Sequence, residues 1–590
     1  MSGPLSNTRV LRFESFELDL RAEQLRKRGV KLRLRGQPLK VLATLLMRAP
    51  DVVTREELHA EIWPADTFVD FDHGLHNAIA RLRQVLGDSA EKPRFIETLP
   101  RRGYRFVGQL QNDKPKNPTS AADANKIDVR NIRAIAVLPL EDLSEDSRHE
   151  YFSDSMTEAL INSLARIKLL RVISRTSAMQ YKGAGRSLPE IAHQLKVDAV
   201  IEGSVLRAGE RVRITTRLIH AASDQHLWAE TYDRDFLDIL SLQSEISRQV
   251  ANEVRIILSP EENARLASGR LVNREAHEAY LKARYYWNKR SEDGVKKAVE
   301  YFRRAIDSDP TYARGYAGLA DCYHILGYYN TLSPKEAYPK AKAAALKALE
   351  LDPSLAEPHA SLGVIHRDYE WNWAAAETEF QRAIELNPGY VEAYHWRTTL
   401  FGMLGRKQEA LEGKAGALAM DPLSVVIRTD LARMLYFFRD YDRSLQEFQA
   451  AIEMDPNFGS AHLWMAHVYQ QKGLVDGALS ELKEGLRLSG ESAYALAKLG
   501  HGYALAGLRD DAQAILKQLL TSARQKHVSP YDIAMIHVGL GQIDQAFACL
   551  ESAYEQRSLW LGYLKVEPQL DALRSDPRFR RMLDRLGLAV

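Results

Sequence analysis

The stretch "GLHNAIARLRQVLGDSAEKPRFIETLPRRGYRFVG" (74–108) decides how the front of the chain is read. In its first half Leu75, Ile79, Leu82 and Leu86 stand at i, i+4, i+7 and i+11, one apolar stripe of a helix expected over 70–87. That stripe leaves His76, Asn77, Ala80, Arg81 and Gln84 on the outside, and Arg83 adds a further basic group. The second half breaks into two strand-like runs, "RFIET" and "YRFVG", joined by a tight turn. Arg101, Arg102, Tyr104 and Arg105 crowd that turn around Gly103. Basic side chains at the tip of a turn cannot serve a core. They meet an anion outside the protein, or they are only solvated.

The residues upstream complete the unit. "RFESFELDLRAEQLRKRGVKLRL" (12–34) reads as a meander of short strands. "PLKVLATLLMR" (38–48) puts Leu39, Leu42, Leu45 and Leu46 on one helical face. A second helix starts at Thr54, with Glu57 closing a capping box, and runs to Trp63. Residues 1–110 hold 19 Lys and Arg against 14 Asp and Glu, whereas the chain of 590 residues has a net charge of only +2. The excess of basic charge therefore belongs to the front end, which points to a polyanion there.

Three helices followed by a hairpin with a basic tip make a winged helix. The phrases "VVTREELHAEIW", "LHNAIARLRQVLG" and "IETLPRRGYRFVG" resemble the OmpR-type DNA-binding domain, over residues 9–108. The resemblance implies that the third helix enters the major groove of double-stranded DNA and the wing reaches the adjacent minor groove. His76, Asn77, Ala80, Arg81, Arg83, Gln84, Arg101, Arg102, Tyr104 and Arg105 are then the expected DNA contacts. Asn pairs well with adenine and Arg with guanine in a groove about 12 Å wide. Response regulators of this kind carry a receiver domain before the winged helix, and CadC-like relatives carry a membrane-spanning helix after it. This sequence shows neither, so neither phosphorylation nor membrane sensing carries over. The loop "PADTFVDFDHG" (64–74), with Asp66, Asp70 and Asp72, corresponds to a segment that touches RNA polymerase in some relatives. A homodimer on DNA is a further expectation.

Residues 109–127 are polar, contain proline and have no apolar period, which reads as a linker. Residues 128–260 alternate strand and helix signals: the buried strand "RAIAVLPL" (133–140), a helix over 154–167 with Ser155 and Glu158 spaced as a capping box, and a helix over 187–195 with Ser187 and Glu190 likewise. A meander follows, in which Val212, Ile214, Thr216 and Leu218 alternate with Arg211, Arg213 and Arg217 across a turn at Gly209-Glu210. A closing helix spans 236–257. The order resembles the TolB amino-terminal-like domain.

From 275 to 590 the pattern is helical and repeats. "AIDSDP", "ALELDP", "AIELNP", "ALAMDP" and "AIEMDP" end at prolines 310, 353, 388, 422 and 456, and a further step of 34 lands on Gly490. The first step, 43 residues, is expected to hold a longer turn around "YYNTLSP" (328–334). A 34-residue helix–turn–helix unit resembles the tetratricopeptide repeat, in about seven copies over 279–556, capped at the carboxyl end. Each unit must stack on its neighbours to bury its apolar face. The ninth position of the first helix is Thr399, Arg433, His467 and His501 in successive units, with Tyr436 and Gln470 one turn further on. The resemblance places these first helices along a concave groove. Arg433, Tyr436, His467, Gln470 and His501 are thus expected to hold an acidic protein segment, more tightly as pH falls from 8 towards 6.

Cys322 and Cys549 are far apart and suggest no disulfide framework. No apolar run approaches the roughly 20 residues that cross a bilayer. No phosphate loop, nucleophile elbow or H-E-x-x-H motif is present. The expected protein is a multidomain cytoplasmic transcriptional regulator with a winged helix, a central α/β domain and an all-α repeat array. It needs no cofactor or metal, binds double-stranded DNA and a protein partner, and binds no membrane. The alternatives are a scaffold that does not bind DNA, and a ligand-binding or enzymatic central domain.

Overall fold

The computed structural model describes residues 10–108 apart from 15, 20–23, 28–29, 33, 35, 50, 63–70, 91–92 and 100–101, then 132–144, 150–267, 273–289, 291–329, 331–490, 492–524 and 527–589. The expected linker, the 64–70 part of the helix 2–3 loop and Arg101 lie outside the described residues. The chain divides into two compact units, Met1–Lys126 and Ile127–Val590.

The first unit opens with an antiparallel sheet in the order β1 (Val10–Phe13), β2 (Phe16–Asp19), β3 (Gln24–Lys27) and β4 (Val30–Lys31). Three helices follow, α1 (Gln37–Met47), α2 (Arg55–Ile62) and α3 (Phe71–Leu86), with β5 (Val52–Val53) between the first two. The wing is β6 (Ile96–Leu99) and β7 (Gly103–Phe106), and β7 lies between β6 and β5. The apolar stripes close on one core: Leu42, Leu45, Leu75, Ile79 and Leu82 are buried, as are Phe13 and Phe106, whose rings meet edge to face at 5.0 Å. The capping box at α2 is present, with Thr54 N donating to Glu57 Oε2 at 2.8 Å and Glu57 N to Thr54 Oγ1 at 3.2 Å. Gly103 is required by its surroundings. Its φ is +142°, and an added Cβ would stand 2.1 Å from Val53 O.

The second unit begins with a mixed sheet of β8 (Ala134–Val137), β9 (Glu141–Asp142), β10 (Arg171–Val172), β11 (Ala199–Ala208), β12 (Arg211–His220) and β13 (Gln225–Asp235). Its order is β10-β8-β11-β12-β13, with β9 also paired to β11. Parallel β10, β8 and β11 run into an antiparallel meander. Its helices are α4 (Glu150–Leu164), α5 (Arg175–Ala178), α6 (Leu188–Leu195), α7 (Ile239–Glu253) and α8 (Pro260–Ala267). Val212, Ile214, Thr216 and Leu218 face the core as their alternation requires. The Ser187–Glu190 capping box is present. The expected box at Ser155 and Glu158 is not, because α4 begins at Glu150 and both residues lie inside it. There Ser155 Oγ donates to Leu281 O, and the Glu158 carboxylate takes Arg284 and Asn288.

Eight helix pairs follow among the described residues, from Arg274–Trp287 with Glu292–Ser308 to Pro530–Gly539 with Ile543–Glu555, one more than the sequence period suggested. The long 43-residue step is spread over the whole unit. Its helices Ala313–Tyr328 and Pro334–Leu351 have 16 and 18 residues, where Val425–Phe437 and Tyr441–Met454 have 13 and 14, so the turn takes only part of the excess.

The α/β domain docks on the turns between repeats. Gly389 N donates to Ala165 O at 2.9 Å, Ser174 N to Met420 O at 2.9 Å and Leu423 N to Ser177 Oγ at 2.9 Å. Arg171 donates to Ala419 O at 2.6 Å, and Ser177 Oγ to Asp421 Oδ1 at 2.5 Å. Backbone donors held by partners fixed in the other element make a seam with little freedom to slide.

Candidate nucleic-acid interface and the repeat groove

On α3 the side chains of His76, Asn77, Ala80, Arg81 and Gln84 are all exposed on one face, opposite buried Leu75, Ile79, Leu82 and Leu86. None of the five makes a side-chain hydrogen bond or ion pair to a described residue. On the wing, Arg102 is exposed at the turn.

The other three described contacts do different work. Arg83 is half-buried and turns to the wing, where its Nη2 donates to Ile96 O at 2.9 Å and Thr98 Oγ1 at 2.8 Å. It fastens α3 to β6. Tyr104 is 5% exposed and packs in the core at the register Val53↔Tyr104. Arg105 is paired across the strands with Glu97 at 2.9 and 2.6 Å. Sequence reading missed Asp88, whose carboxylate accepts from the backbone N–H groups of Ser89, Arg94, Phe95 and Ile96 at 2.6–3.2 Å. It sets the direction in which the wing leaves the helix. An acid directly after Gly87, at φ +69°, was the available signal.

The repeat ladder is not an open groove. Arg433, His467 and His501 are 6, 1 and 2% exposed, and Tyr436 and Thr399 are equally buried. The carboxyl-terminal segment folds into the groove through two 3-10 turns, Leu559–Tyr563 and Pro568–Leu573. Arg433 pairs with Asp430 at 2.8 Å and lies against the rings of Trp464, Trp560 and Tyr563. Tyr436 OH donates to Glu567 Oε1 at 2.6 Å. Gln569 Nε2 donates to Gln470 Oε1 at 2.9 Å and touches His467 and His501. Arg439 pairs with Asp571 at 2.8 Å.

The groove is therefore filled by the chain's own carboxyl-terminal segment, and among the described residues Arg433, His467 and His501 meet its aromatic and amide groups rather than its acids. Burial, with Lys498 beside them, holds both histidines below their usual range, His501 down to about 3. They do not gain charge between pH 8 and 6, so the expected pH dependence of partner binding falls with the open groove. The run "SLWLGYLKVEPQL" (558–570), apolar and aromatic directly after the last repeat, was the signal that something would be covered.

Comparison with known proteins agrees with this layout. Residues 29–106 match the family described as transcriptional regulatory protein, C terminal; 131–249 match the second domain of HilA/YgeH-like transcriptional regulators; 438–501 match the tetratricopeptide repeat. The transcriptional regulator HilA of Salmonella typhimurium is 23% identical over 449 residues, 75% of this chain and 76% of that protein. The cholera toxin transcriptional activator of Vibrio cholerae is 31% identical over 108 residues, 18% of this chain and 32% of that one. A Rhizobium meliloti protein that carries an adenylate cyclase name is 32% identical over 233 residues, and the match spans 39% of this chain and 40% of that protein. Among solved structures, a tetratricopeptide repeat protein of Thermus thermophilus aligns with 23% identity and a TM-score of 0.28, covering 33% of this chain and 99% of that one. The chain thus joins an OmpR-type domain, a HilA-like second domain and tetratricopeptide repeats. Among the described residues, no helix is long and apolar enough to cross a membrane.

Proposed function

We propose that this protein is a cytoplasmic, sequence-specific DNA-binding transcriptional regulator without catalytic activity. The observation that carries the reading is the outer face of α3, where His76, Asn77, Arg81 and Gln84 stand exposed beside Ala80, with no described residue as partner. Amide, imidazole and guanidinium groups spaced along one helix face suit the edges of bases in a major groove. Asn77 and Arg81 read base edges. Arg102, with Arg101 beside it in sequence, holds phosphate. Arg83, Tyr104 and Arg105 support the interface from behind. The repeats serve a protein partner on surfaces other than the filled groove. RNA polymerase and a second copy of the chain on the same DNA are the partners the winged-helix resemblance suggests.

The test is selection of bound sequences from random duplex DNA, followed by affinity against salt. Counterion release requires log affinity to fall against log salt with a slope on the order of −0.9 per phosphate neutralised. Asn77→Ala or Arg81→Ala should cost about 1–3 kcal/mol and relax preference at one base position. Arg102→Ala should weaken all sequences evenly. A flat salt dependence refutes DNA binding and leaves the scaffold reading. Turnover of a nucleoside triphosphate by residues 127–590 would instead support an enzymatic central domain.

A further inference from the structure

The seam between the α/β domain and the first three repeats encloses a polar cavity, of about 70 Å³ measured at the centre of a water-sized sphere. Its walls come from α4, α7 and α8 on one side and from the repeat helices Arg274–Trp287, Ala313–Tyr328 and Ala356–Ile365 on the other. The apolar part is Leu240, Leu266, Leu281 and the ring of Tyr280.

Most charges along this seam are matched. Glu158 takes Arg284, Asn288 and Arg175, and Arg207 takes Glu278 and Tyr151. Two buried atoms lining the cavity are not, and a half-buried guanidinium stands beside them. His277 is 1% exposed and its Nδ1 meets Tyr312 OH at 2.9 Å, but its Nε2 has no partner among the described residues. Glu357 Oε2 is likewise buried without a partner. Arg314 forms no ion pair with a described residue, although Glu357 lines the same cavity. An unmet buried polar group costs about 1–3 kcal/mol, and more when it is charged. Two on one cavity, beside a half-buried guanidinium that no described carboxylate pairs, call for an occupant.

We propose that this cavity binds a small zwitterion, an amino acid with a short side chain. Its carboxylate meets the Arg314 guanidinium, its ammonium donates to Glu357 Oε2, and His277 Nε2 supplies a further hydrogen bond. At about 10–15 Å³ per water, 70 Å³ holds roughly five water-sized groups, which suits the few non-hydrogen atoms of a small amino acid. Because the walls come from both elements, the ligand would tie the α/β domain to the repeats. It would stabilise the docked arrangement in proportion to its occupancy.

The full chain should be melted with glycine, L-alanine, L-serine or L-threonine, and with acetate and methylamine as half-ligands. At least one amino acid should raise the midpoint saturably, by about 2 °C or more, while neither half-ligand does so. By calorimetry, Glu357→Gln and Arg314→Gln should each weaken that amino acid at least tenfold. Should either variant fail to fold, hydrogen exchange in the unaltered chain decides. The first turns of Ala313–Tyr328 and Ala356–Ile365 should exchange more slowly with the amino acid present. No stabilisation by any amino acid would mean that water alone fills the cavity, and would overturn the proposal. So would equal stabilisation by acetate, unchanged affinity in a folded Glu357→Gln chain, or no protection at those turns.

Discussion

Arg83 is the residue on which sequence pattern and structure part most sharply, and its replacement separates two accounts of the interface. By sequence pattern, Arg83 stands on the recognition helix and should touch DNA. In the fold its Nη2 spends two hydrogen bonds on Ile96 O and Thr98 Oγ1, at 2.9 and 2.8 Å. Hydrogen bonds from a charged donor contribute about 1.5–3 kcal/mol when buried. Here Thr98 is exposed and Arg83 only half-buried, so the pair together should be worth about 1–2 kcal/mol. For a unit of roughly 100 residues that corresponds to a fall of roughly 5–10 °C in melting temperature for Arg83→Ala. The melt is measured on residues 1–126, which form a compact unit of their own. Affinity for DNA is then measured at several salt concentrations. The structural account expects a lower melting temperature and an unchanged salt slope, because no phosphate contact is lost. Arg102→Ala should do the reverse, with an unchanged melt and a slope smaller by about 0.9. An Arg83→Ala unit that melts like the parent but loses that slope would refute the reasoning and return Arg83 to the DNA.

Gly103→Ala should unfold the wing or cost more than about 3 kcal/mol, because a Cβ at φ +142° would sit 2.1 Å from Val53 O; a change in stability under about 0.5 kcal/mol, read by chemical denaturation, would contradict the pairing of β7 with β5 at Val53↔Tyr104. The buried histidine His501 gives a pH prediction whose sign is fixed. Its folded value, about 3, lies below the unfolded value near 6.5, so the unfolded chain binds the proton first. Its contribution is complete above pH 6.5 and is lost as pH falls towards 3. Between pH 6.5 and 5 the parent should therefore lose about 1.5–2 kcal/mol more than His501→Gln does, by denaturant titration at each pH. Asp321, raised to about 7 by burial, shifts parent and variant alike and cancels in the comparison, whereas Asp532 and Lys498 line the same cavity as His501, so the comparison is made in an Asp532→Asn background. Equal losses would mean that His501 already carries its proton.

What the sequence made legible is what local periodicity encodes. The stripe of Leu75, Ile79, Leu82 and Leu86, the alternation from Arg211 to Leu218 and the 34-residue phrase each state which face is covered, and each such face is covered in the fold. Hidden was what covers a face when the cover comes from far along the chain. His467 and Gln569 are 102 residues apart, and Ser177 and Asp421 are 244 apart. No local pattern couples such positions. The same limit explains Ser155 and Glu158. Their spacing is that of a capping box, but the chain around them was already helical, so the pair serves a distant helix. Exposure on α3 was inferred correctly because a helix face is local. The fate of Arg83 was not, because it depends on where the wing returns.

The filled groove changes what the repeats can be for. A ladder of Arg433, His467 and His501 looks the same in sequence whether it awaits a partner or already has one. The difference is energetic. Opening the groove would re-expose Leu561, Leu564, Leu570 and Leu573, none of them measurably exposed, together with Tyr563 at 3%. At about 1.5–3 kcal/mol for each side chain, that is on the order of 10 kcal/mol. Such a cost is comparable with the whole stability of an ordinary domain. It would also take Trp560 away from Arg433 and Glu567 away from Lys498. An acidic peptide from outside would have to return all of this before gaining anything. The carboxyl-terminal segment is therefore part of the array's core. With the α/β domain docked on the inter-repeat turns through Ala165, Ser174 and Ser177, residues 127–590 form one compact unit, and the filled groove is part of it.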